Sequence, residues 1–529
     1  MRTFSSYGPV DKHCHYYVPR EMHIETIYKQ LTEGHYLTVW APRQCGKTWI
    51  MNEVYRKLCE NNDYCALKID LENLKLVDHT ETIIKNMSQR IIKKLKLPIH
   101  HDIDLNTFDY LFSNEMLEKP LILILDEFDA LDENAIAFIV SIFRHIYNTR
   151  LSDNNTLLHE KEYLLHGVAL IGVRSVIGIE NDRGSPFNIQ RSIHIHNLSY
   201  DETKAMFHWY EKETGHILDQ DVIEKIYHET SGHPALVSWF GELITEGYEA
   251  YVPDKTKPIT MKDFDEIYSD AIHILPNNTI LNIISKATQT PYNELILDLF
   301  NTKMTIPFRF DDKLINYLYL NGVIDYQVRL ETKMPSVKFS SPFVQTRLFN
   351  YYSYEYFKNM DDLITPFEDM SNIVTSHAIN IKNLLIRYEQ YLKKTSHWLL
   401  KNAPRRSDLK IYEAIYHFNL YKYLVNFFEN YEISVWPEFP TGNGKVDLII
   451  AYSEKIYALE IKSYKDKPGF DKAIKQASKY AQTLKLNRIY LVIFVENIDE
   501  TNRSLFEKTH HAQDMEIDIE VVFIDLDYS

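Results

Sequence analysis

The chain has 529 residues, 45% hydrophobic and 25% charged, and its 58 Lys and Arg stand against 74 Asp and Glu for a formal charge of −16. This composition excludes global disorder and a collagen-like chain, and the length leaves room for three or four domains. An acidic whole chain is not a nonspecific polycation, so a nucleic-acid surface has to be a local basic patch.

The first chemically marked stretch is LTVWAPRQCGKTWIMNEVYRKL. Leu37–Trp40 reads as a buried strand, and Trp49–Leu58 has helical spacing of its apolar residues. Between them lie Ala41, Pro42, Arg43, Gln44, Cys45, Gly46, Lys47 and Thr48. Strand, loop and helix in this order are the frame of a phosphate-binding loop, in which backbone N–H groups cradle phosphates. Lys47 would reach the β and γ phosphates of ATP, and Thr48 would place a hydroxyl on Mg²⁺. Ala41 stands where such loops usually have their first glycine, and alanine does not take a positive φ cheaply.

Lys68–Leu71 reads as a following strand, and the apolar run Leu121–Leu125 as a strand buried on both faces. The latter ends in Asp126, Glu127, Phe128 and Asp129. Ligands of open α/β sheets sit at the carboxyl ends of strands, so Asp126 is expected to hold Mg²⁺ through water and Glu127 to polarise the attacking water. Val168–Val173 is a further strand leading to Arg174, a candidate sensor of the γ-phosphate.

The pattern YYVPR, VWAPRQCGKTW, LDEFDAL, SPFNIQRSIHI and SGHPALV resembles the bacterial AAA-like ATPases, in the branch related to signal-transduction ATPases with numerous domains. The resemblance covers roughly residues 10–350, and in that group the loop often lacks its first glycine. It implies that Tyr17–Arg20 lies where the nucleotide base is held, and that His233 and Pro234, in the glycine-x-proline motif of a helical lid, contact base or ribose. It also makes Arg183 or Arg191 a candidate arginine finger across a homo-oligomer interface.

From Tyr200 to about Gly247 the pattern is helical, with Asp201 and Glu202 in a first turn, and fits the lid. Leu281–Ile284, Tyr292–Phe300 and Leu314–Asn321 read as short helices, and Val323–Tyr326 and Val337–Phe339 as strands. Helices followed by a hairpin suggest a winged helix. The segment Leu314–Leu320 is poor in Arg and Lys for a recognition helix, so an interaction or autoinhibitory role is expected. Residues 353–405 read as a helical connector.

The last 120 residues or so carry a second constellation. Ser407–Phe427 reads as a helix containing Glu413, and Ile433–Trp436 as a strand followed by the turn Pro440–Gly444. Strands then follow at Lys445–Ile450 and Ile456–Lys462, a helix at Phe470–Leu484, and a final strand at Ile489–Val495. Alternation puts Glu460 and Lys462 on one face, and Asp447 on the neighbouring strand is placed to converge on them. Two carboxylates and a lysine suit metal-dependent phosphodiester hydrolysis: Asp447 and Glu460 as Mg²⁺ ligands, with Mn²⁺ as an alternative ion, and Lys462 to orient water or offset charge.

This stretch resembles the PD-(D/E)XK nuclease superfamily, with Asp447, Glu460 and Lys462 as its signature and Val446 in place of the usual proline. The resemblance puts Glu413 and Gln476 at accessory catalytic positions, with Tyr480 one helical turn on. Lys393, Lys394, Lys401, Arg405, Arg406 and Lys410 lead into the region, and Lys462, Lys465, Lys467, Lys472, Lys475 and Lys479 follow the acids, a pattern suited to tracking phosphates.

The expected architecture is therefore α/β: an AAA-like P-loop ATPase core over 1–199, a helical lid over 200–275, a winged-helix-like module over 276–352, a helical connector over 353–406 and a restriction-endonuclease-like domain over 407–529. The expected function is ATP-dependent control of a Mg²⁺-dependent nuclease acting on nucleic acid, DNA before RNA, in bacterial defence or mobile-element biology by family analogy. The alternative is a non-nucleolytic ATP-dependent switch or remodelling factor whose terminal domain only binds nucleic acid or a partner. The apolar runs are far shorter than the roughly 18–20 residues of a membrane span, and Met1–Pro19 lacks the apolar core of a secretory signal. The four cysteines (Cys14, Cys45, Cys59 and Cys65) form no CxxC pair. A cytoplasmic protein without a membrane partner is expected.

Overall fold

The computed structural model describes the chain except for residues 1, 6–7, 9, 100–101, 153–155, 173–189, 301–304, 329–333, 359, 361–369, 408–410, 439–446, 465, 513–515 and 527–529. It divides into two units: residues 1–267 with 320–322, and residues 268–319 with 323–529. Among the described residues, no helix is long and apolar enough to cross a membrane.

The first unit runs α1 (Glu21–Thr32), β1 (Tyr36–Trp40), α2 (Lys47–Cys59), β2 (Cys65–Asp70), α3 (Thr80–Leu95), β3 (Leu121–Asp126), α4 (Glu133–Ser152), β4 (Leu165–Gly172) and β5 (Gln190–His194). The five strands form one parallel sheet in the order β2-β3-β4-β1-β5. Strands β1, β3 and β4 are buried along their whole length, as a parallel sheet covered by helices on both faces requires. One face carries a core of Leu67, Leu123, Leu125 and Val168 with α3 and α4, and the other packs Val39, Ile124 and Ile171 against α1 and α2. The crossing of α1 over β4 depends on Gly167, where an added Cβ would lie 2.7 Å from the Leu31 carbonyl oxygen.

Helices α5 (Tyr200–Thr214), α6 (Gln220–Thr230), α7 (Pro234–Glu246) and α8 (Met261–His273) follow. Helix α5 starts in a capping box: the Ser199 hydroxyl accepts from the Glu202 amide, and the Glu202 carboxylate accepts from the Ser199 amide. It stops at Gly215, whose φ of 76° closes the last turn.

The second unit begins with α9 (Asn278–Ala287), α10 (Tyr292–Leu299), α11 (Lys313–Leu320) and the antiparallel pair β6 (Ile324–Val328) and β7 (Pro335–Phe339). Helix α12 (Pro342–Phe357) runs without a break through residue 352, so the boundary expected there falls inside a helix. The reason is packing: Phe349 of α12 meets Phe300 at 5.7 Å and Phe418 at 4.9 Å between ring centroids, so this segment builds a core instead of a link.

Next come α13 (Ile381–Leu399), α14 (Glu413–Phe427), β8 (Ser434–Glu438), β9 (Asp447–Tyr452), β10 (Lys455–Ser463), α15 (Lys467–Thr483) and β11 (Arg488–Val495). Helix α14 starts at Glu413, later than the expected Ser407, because Arg405 and Ile411 pair as an extended bridge. Strand β11 is not the last. After α16 (Glu500–Phe506), β12 (Thr509–Ala512) and β13 (Ile517–Asp525) complete a six-stranded mixed sheet in the order β12-β13-β11-β10-β9-β8. Strand β13 lies beside β11 in parallel, and its Ile519, Val521 and Phe523 complete the core that β11 could not close alone.

Gly167→Ala is expected to destabilise the first unit by about 1–3 kcal/mol, the usual range for forcing extra volume into a packed core. The check is faster hydrogen exchange of the β1 and β4 amides. Exchange at the wild-type rate would mean that α1 yields without cost.

Candidate functional site

Strand β1 delivers the chain to the carboxyl edge of the parallel sheet, and α2 takes it away again beginning at Lys47. The turn between them needs two left-handed residues, Gln44 (φ 59°) and Gly46 (φ 83°). Ala41 is fully buried and is not among the residues with positive φ, so alanine in place of the first glycine costs no backbone strain. An added Cβ at Gly46 would meet nothing within 4 Å, which leaves open space at the start of α2.

The Lys47 ammonium is turned into the loop. Its Nζ donates to the carbonyl oxygens of Ala41 and Pro42, each at 2.8 Å. Burial pulls its pKa below the usual ammonium range, and the carboxylates of Glu127, Asp129 and Asp126 oppose that shift. Thr48, Arg43 and Gln44 are exposed, Pro42 is half-buried and Cys45 is buried.

The acids stand at the end of β3. Asp126 is buried, and its Oδ2 lies 2.9 Å from Nζ of Lys68 on β2. In the parallel register Asp126 pairs with Asp70, two residues beyond Lys68, so Lys68 and Asp126 share a face. Glu127 leaves the strand in the left-handed region (φ 53°), and its amide donates to Asp126 Oδ1 at 3.2 Å. Burial first, and then the negative charge of Asp129, raise its pKa, while Lys47 pulls the other way. Gly172 at the end of β4 makes room for these acids, since a Cβ there would stand 2.4 Å from Asp129 Oδ1.

From α7's side, His233 reaches the loop: its Nε2 lies 3.2 Å from the Arg43 carbonyl oxygen and donates to it. Burial holds the pKa of His233 down at about 4, so the ring is neutral. Pro234 occupies the first turn of α7, where its missing N–H costs nothing. Arg191 is exposed on β5, at the edge of the sheet.

Arg174, Arg183, the Pro440–Gly444 turn, Val446, Lys410 and Lys465 lie outside the described residues. From the sequence Lys68 is only a strand residue, and Asp129 is one of the acids at the end of the apolar run without a role of its own. Lys68 had a readable signal, a cation on a strand two residues before an acid, but its partner is set by sheet order alone.

In the second unit, β9 and β10 run antiparallel with Asp447 directly opposite Glu460. Glu460 is buried, and Lys462 Nζ stands 2.7 Å from its Oε1, so the alternation expected for this strand brings the two together. Lys462 also donates to the Ile461 carbonyl oxygen at 3.3 Å. Their face of the sheet includes Ala458, Leu491 and Ile493, which pack against Ala473, Ala477 and Tyr480 of α15. Gln476, half-buried on α15, therefore belongs to the helix that covers this face.

Glu413 does not. Tyr416 and His417 of its helix lie 5.6 and 6.0 Å from the Phe494 ring, and Phe494 alternates to the face opposite Ile493. The Glu413 carboxylate is buried 3.8 Å from Nε2 of His417. Among the described residues no group of three or more His, Cys, Asp and Glu side chains gathers as a metal-holding cluster. Lys467, Lys472, Lys475 and Lys479 are exposed along α15, whereas Lys393 is engaged with Glu389 at 3.1 Å.

Residues 5–248 match the AAA-like domain family, a little under half of the chain. No curated protein matches the sequence. Among solved structures, a Walker-type ATPase of Pyrococcus abyssi is 15% identical, with 65% of this chain and 99% of that one covered at a TM-score of 0.39. The Holliday junction branch migration motor RuvB of Thermotoga maritima is 12% identical, with coverage of 64% and 95% and a TM-score of 0.34. The ORC1 protein of Aeropyrum pernix, solved in complex with DNA, is 14% identical, with coverage of 63% and 92% and a TM-score of 0.31. Likenesses this remote carry no functional argument.

Three imidazoles of the first unit, those of His166, His194 and His233, are held at about 4, in each case first by burial. The unfolded chain, with histidine near 6.5, binds more protons than the folded one between about pH 6.5 and pH 4. Stability of the first unit is therefore expected to fall as pH falls through that window, read as a lower thermal midpoint. A midpoint that stays level or rises on acidification would contradict this.

Proposed function

We propose that the protein binds and hydrolyses ATP in residues 1–275, and that nucleotide state governs a metal-dependent nuclease in residues 407–529 that acts on DNA. The observation that carries the ATP half is one cation and its acids at a sheet edge: Lys47 at the start of α2, with Asp126 and Glu127 at the end of β3. The match of residues 5–248 to an AAA-like domain supports it.

Thr48 and Asp126 offer hard oxygen donors of the kind Mg²⁺ selects, and these two would hold it. Bound there, the ion would neutralise phosphate charge. On the γ-phosphate, Lys47 offsets negative charge once its ammonium leaves the Ala41 and Pro42 carbonyls. Burial raises the pKa of Glu127 above the ordinary carboxylate value, which suits it to accept a proton from the attacking water. Arg174 would sense the γ-phosphate, and Arg191 would reach across a homo-oligomer interface.

In the second unit, Asp447 is the register partner of Glu460 on the adjacent strand, and both are residue types whose oxygens Mg²⁺ or Mn²⁺ accepts as ligands. Such an ion would activate water for phosphodiester cleavage. Lys462 holds Glu460 in place and presents a cation towards the scissile phosphate, and Gln476 on α15 supplies an amide to the same face. Lys472, Lys475 and Lys479 would track the nucleic-acid backbone. The segment from α9 to β7 acts as a winged-helix-like module that restrains the nuclease.

A second reading is favoured by the 2.7 Å pairing of Lys462 with Glu460, which commits one carboxylate oxygen to an ammonium. In that reading the terminal domain binds nucleic acid or a partner without cutting, and the chain is an ATP-dependent switch or remodelling factor.

Linear and circular DNA and RNA, incubated with Mg²⁺ or Mn²⁺ and with or without ATP, separate the two. Lys462→Ala is expected to lose metal-dependent cutting by about a hundredfold or more, and Lys47→Ala to lose ATP turnover with the fold intact. Binding without cutting by the wild type supports the switch. An unchanged ATPase rate in Lys47→Ala would remove the basis of the ATP half.

A further inference from the structure

The turn that starts α7 is bound to the phosphate loop by more than one hydrogen bond. His233 Nε2 donates to the Arg43 carbonyl oxygen at 3.2 Å. From the same loop the Cys45 thiol lies 3.6 Å from Asn197 Oδ1 and 3.7 Å from the Arg43 carbonyl oxygen, so its one proton is shared between these acceptors. The Asn197 amide in turn donates to the Ser231 carbonyl oxygen at 3.1 Å, and the Leu198 amide to the Gly232 carbonyl oxygen at 2.8 Å. The path therefore closes on itself: loop, the segment after β5, the turn before α7, and the loop again.

Each member suits its place. Gly232 has φ 70°, and a Cβ there would stand 2.0 Å from the Leu198 carbonyl oxygen, so only glycine lets the two segments approach this closely. Ser231 is also left-handed, at φ 48°. His233 is 8% exposed and Cys45 2% exposed, so water does not compete for either bond. Burial raises the Cys45 thiol to about 11, which keeps its S–H as a donor, and leaves His233 neutral with its proton on Nε2. His233 Nδ1 is buried without a hydrogen-bond partner, which leaves Nε2 as the ring atom that holds the loop.

We propose that His233, Asn197 and Cys45 form a clasp that positions the phosphate-binding loop, with His233 acting through the Arg43 carbonyl and not through contact with the nucleotide. The clasp rests on the ATP-binding reading for its purpose but not for its existence. It preorganises the loop N–H groups that are to meet phosphates, and it ties the loop's shape to the helix that follows the turn. Nucleotide that reshapes the loop thereby pulls on α7, a route from occupancy to lid position.

Hydrogen exchange on the full chain without nucleotide tests the clasp directly. The amides of Gln44, Cys45 and Gly46 are expected to exchange about tenfold faster in His233→Ala and in Asn197→Ala, and at the wild-type rate in His233→Gln, whose amide still donates. If His233→Ala does not fold, His233→Phe keeps the ring volume without the donor. With ATP, the two alanine variants are expected to show KM raised about tenfold and kcat changed by less than about threefold, again restored by His233→Gln. Unchanged exchange in both alanine variants overturns the clasp, as does exchange in His233→Gln as fast as in His233→Ala. A wild type that binds no ATP overturns the proposed function and leaves the exchange result standing.

Discussion

The first unit is organised by the requirement that five parallel strands end at one edge. Parallel pairing points every strand the same way, so β1, β3 and β4 deliver their carboxyl ends side by side: Trp40 opposite Gly172, and Leu125 opposite Leu170. Residues far apart in the chain therefore meet at that edge without long side chains having to search for one another. Lys47 feels the charges of Asp126, Glu127 and Asp129 for this reason. The apolar strands that keep the sheet dry also remove water from the edge, and this is what moves the pKa values of Lys47 and Glu127.

Desolvation at that edge has to be offset by partners, and the chain supplies them locally. Asp126 is buried against the Lys68 ammonium, the Lys47 ammonium is held by two loop carbonyls, and the His233 proton is taken by a third. Bonds of this kind are strong in a dry site and costly to leave unmade. A ligand that replaces one of them changes the balance of the rest, and the loop, the acids and the turn before α7 respond as a connected set.

The second unit obeys a different constraint. Antiparallel register sets Asp447 against Glu460, and alternation on β10 sets Lys462 beside Glu460. Helices α14 and α15 take opposite faces of this sheet, so Glu413 and Gln476 approach it from different sides. The helical segments ahead of it are not a separate bead: Phe300, Phe349 and Phe418 form a shared aromatic core, with Phe300 and Phe418 at 5.4 Å.

Local pattern was enough where the signal is short-range. The frame of strand, loop and helix around Lys47, the apolar run into Asp126, the acidic first turn at Asp201 and Glu202 and the shared face of Glu460 and Lys462 all depend on residues within a few positions of one another. Periods of two and of 3.6 encode those directly. Sheet order, by contrast, is decided by which apolar faces can be buried together, and no single segment carries that information. Only the tertiary structure could set Lys68 on Asp126, carry α12 through residue 352 into a shared core, add β12 and β13 beyond the expected final strand, and separate Glu413 from the face that holds Glu460. The bond from His233 to the Arg43 carbonyl spans 190 residues, and it exists because two turns are held against each other by the packing of everything between them.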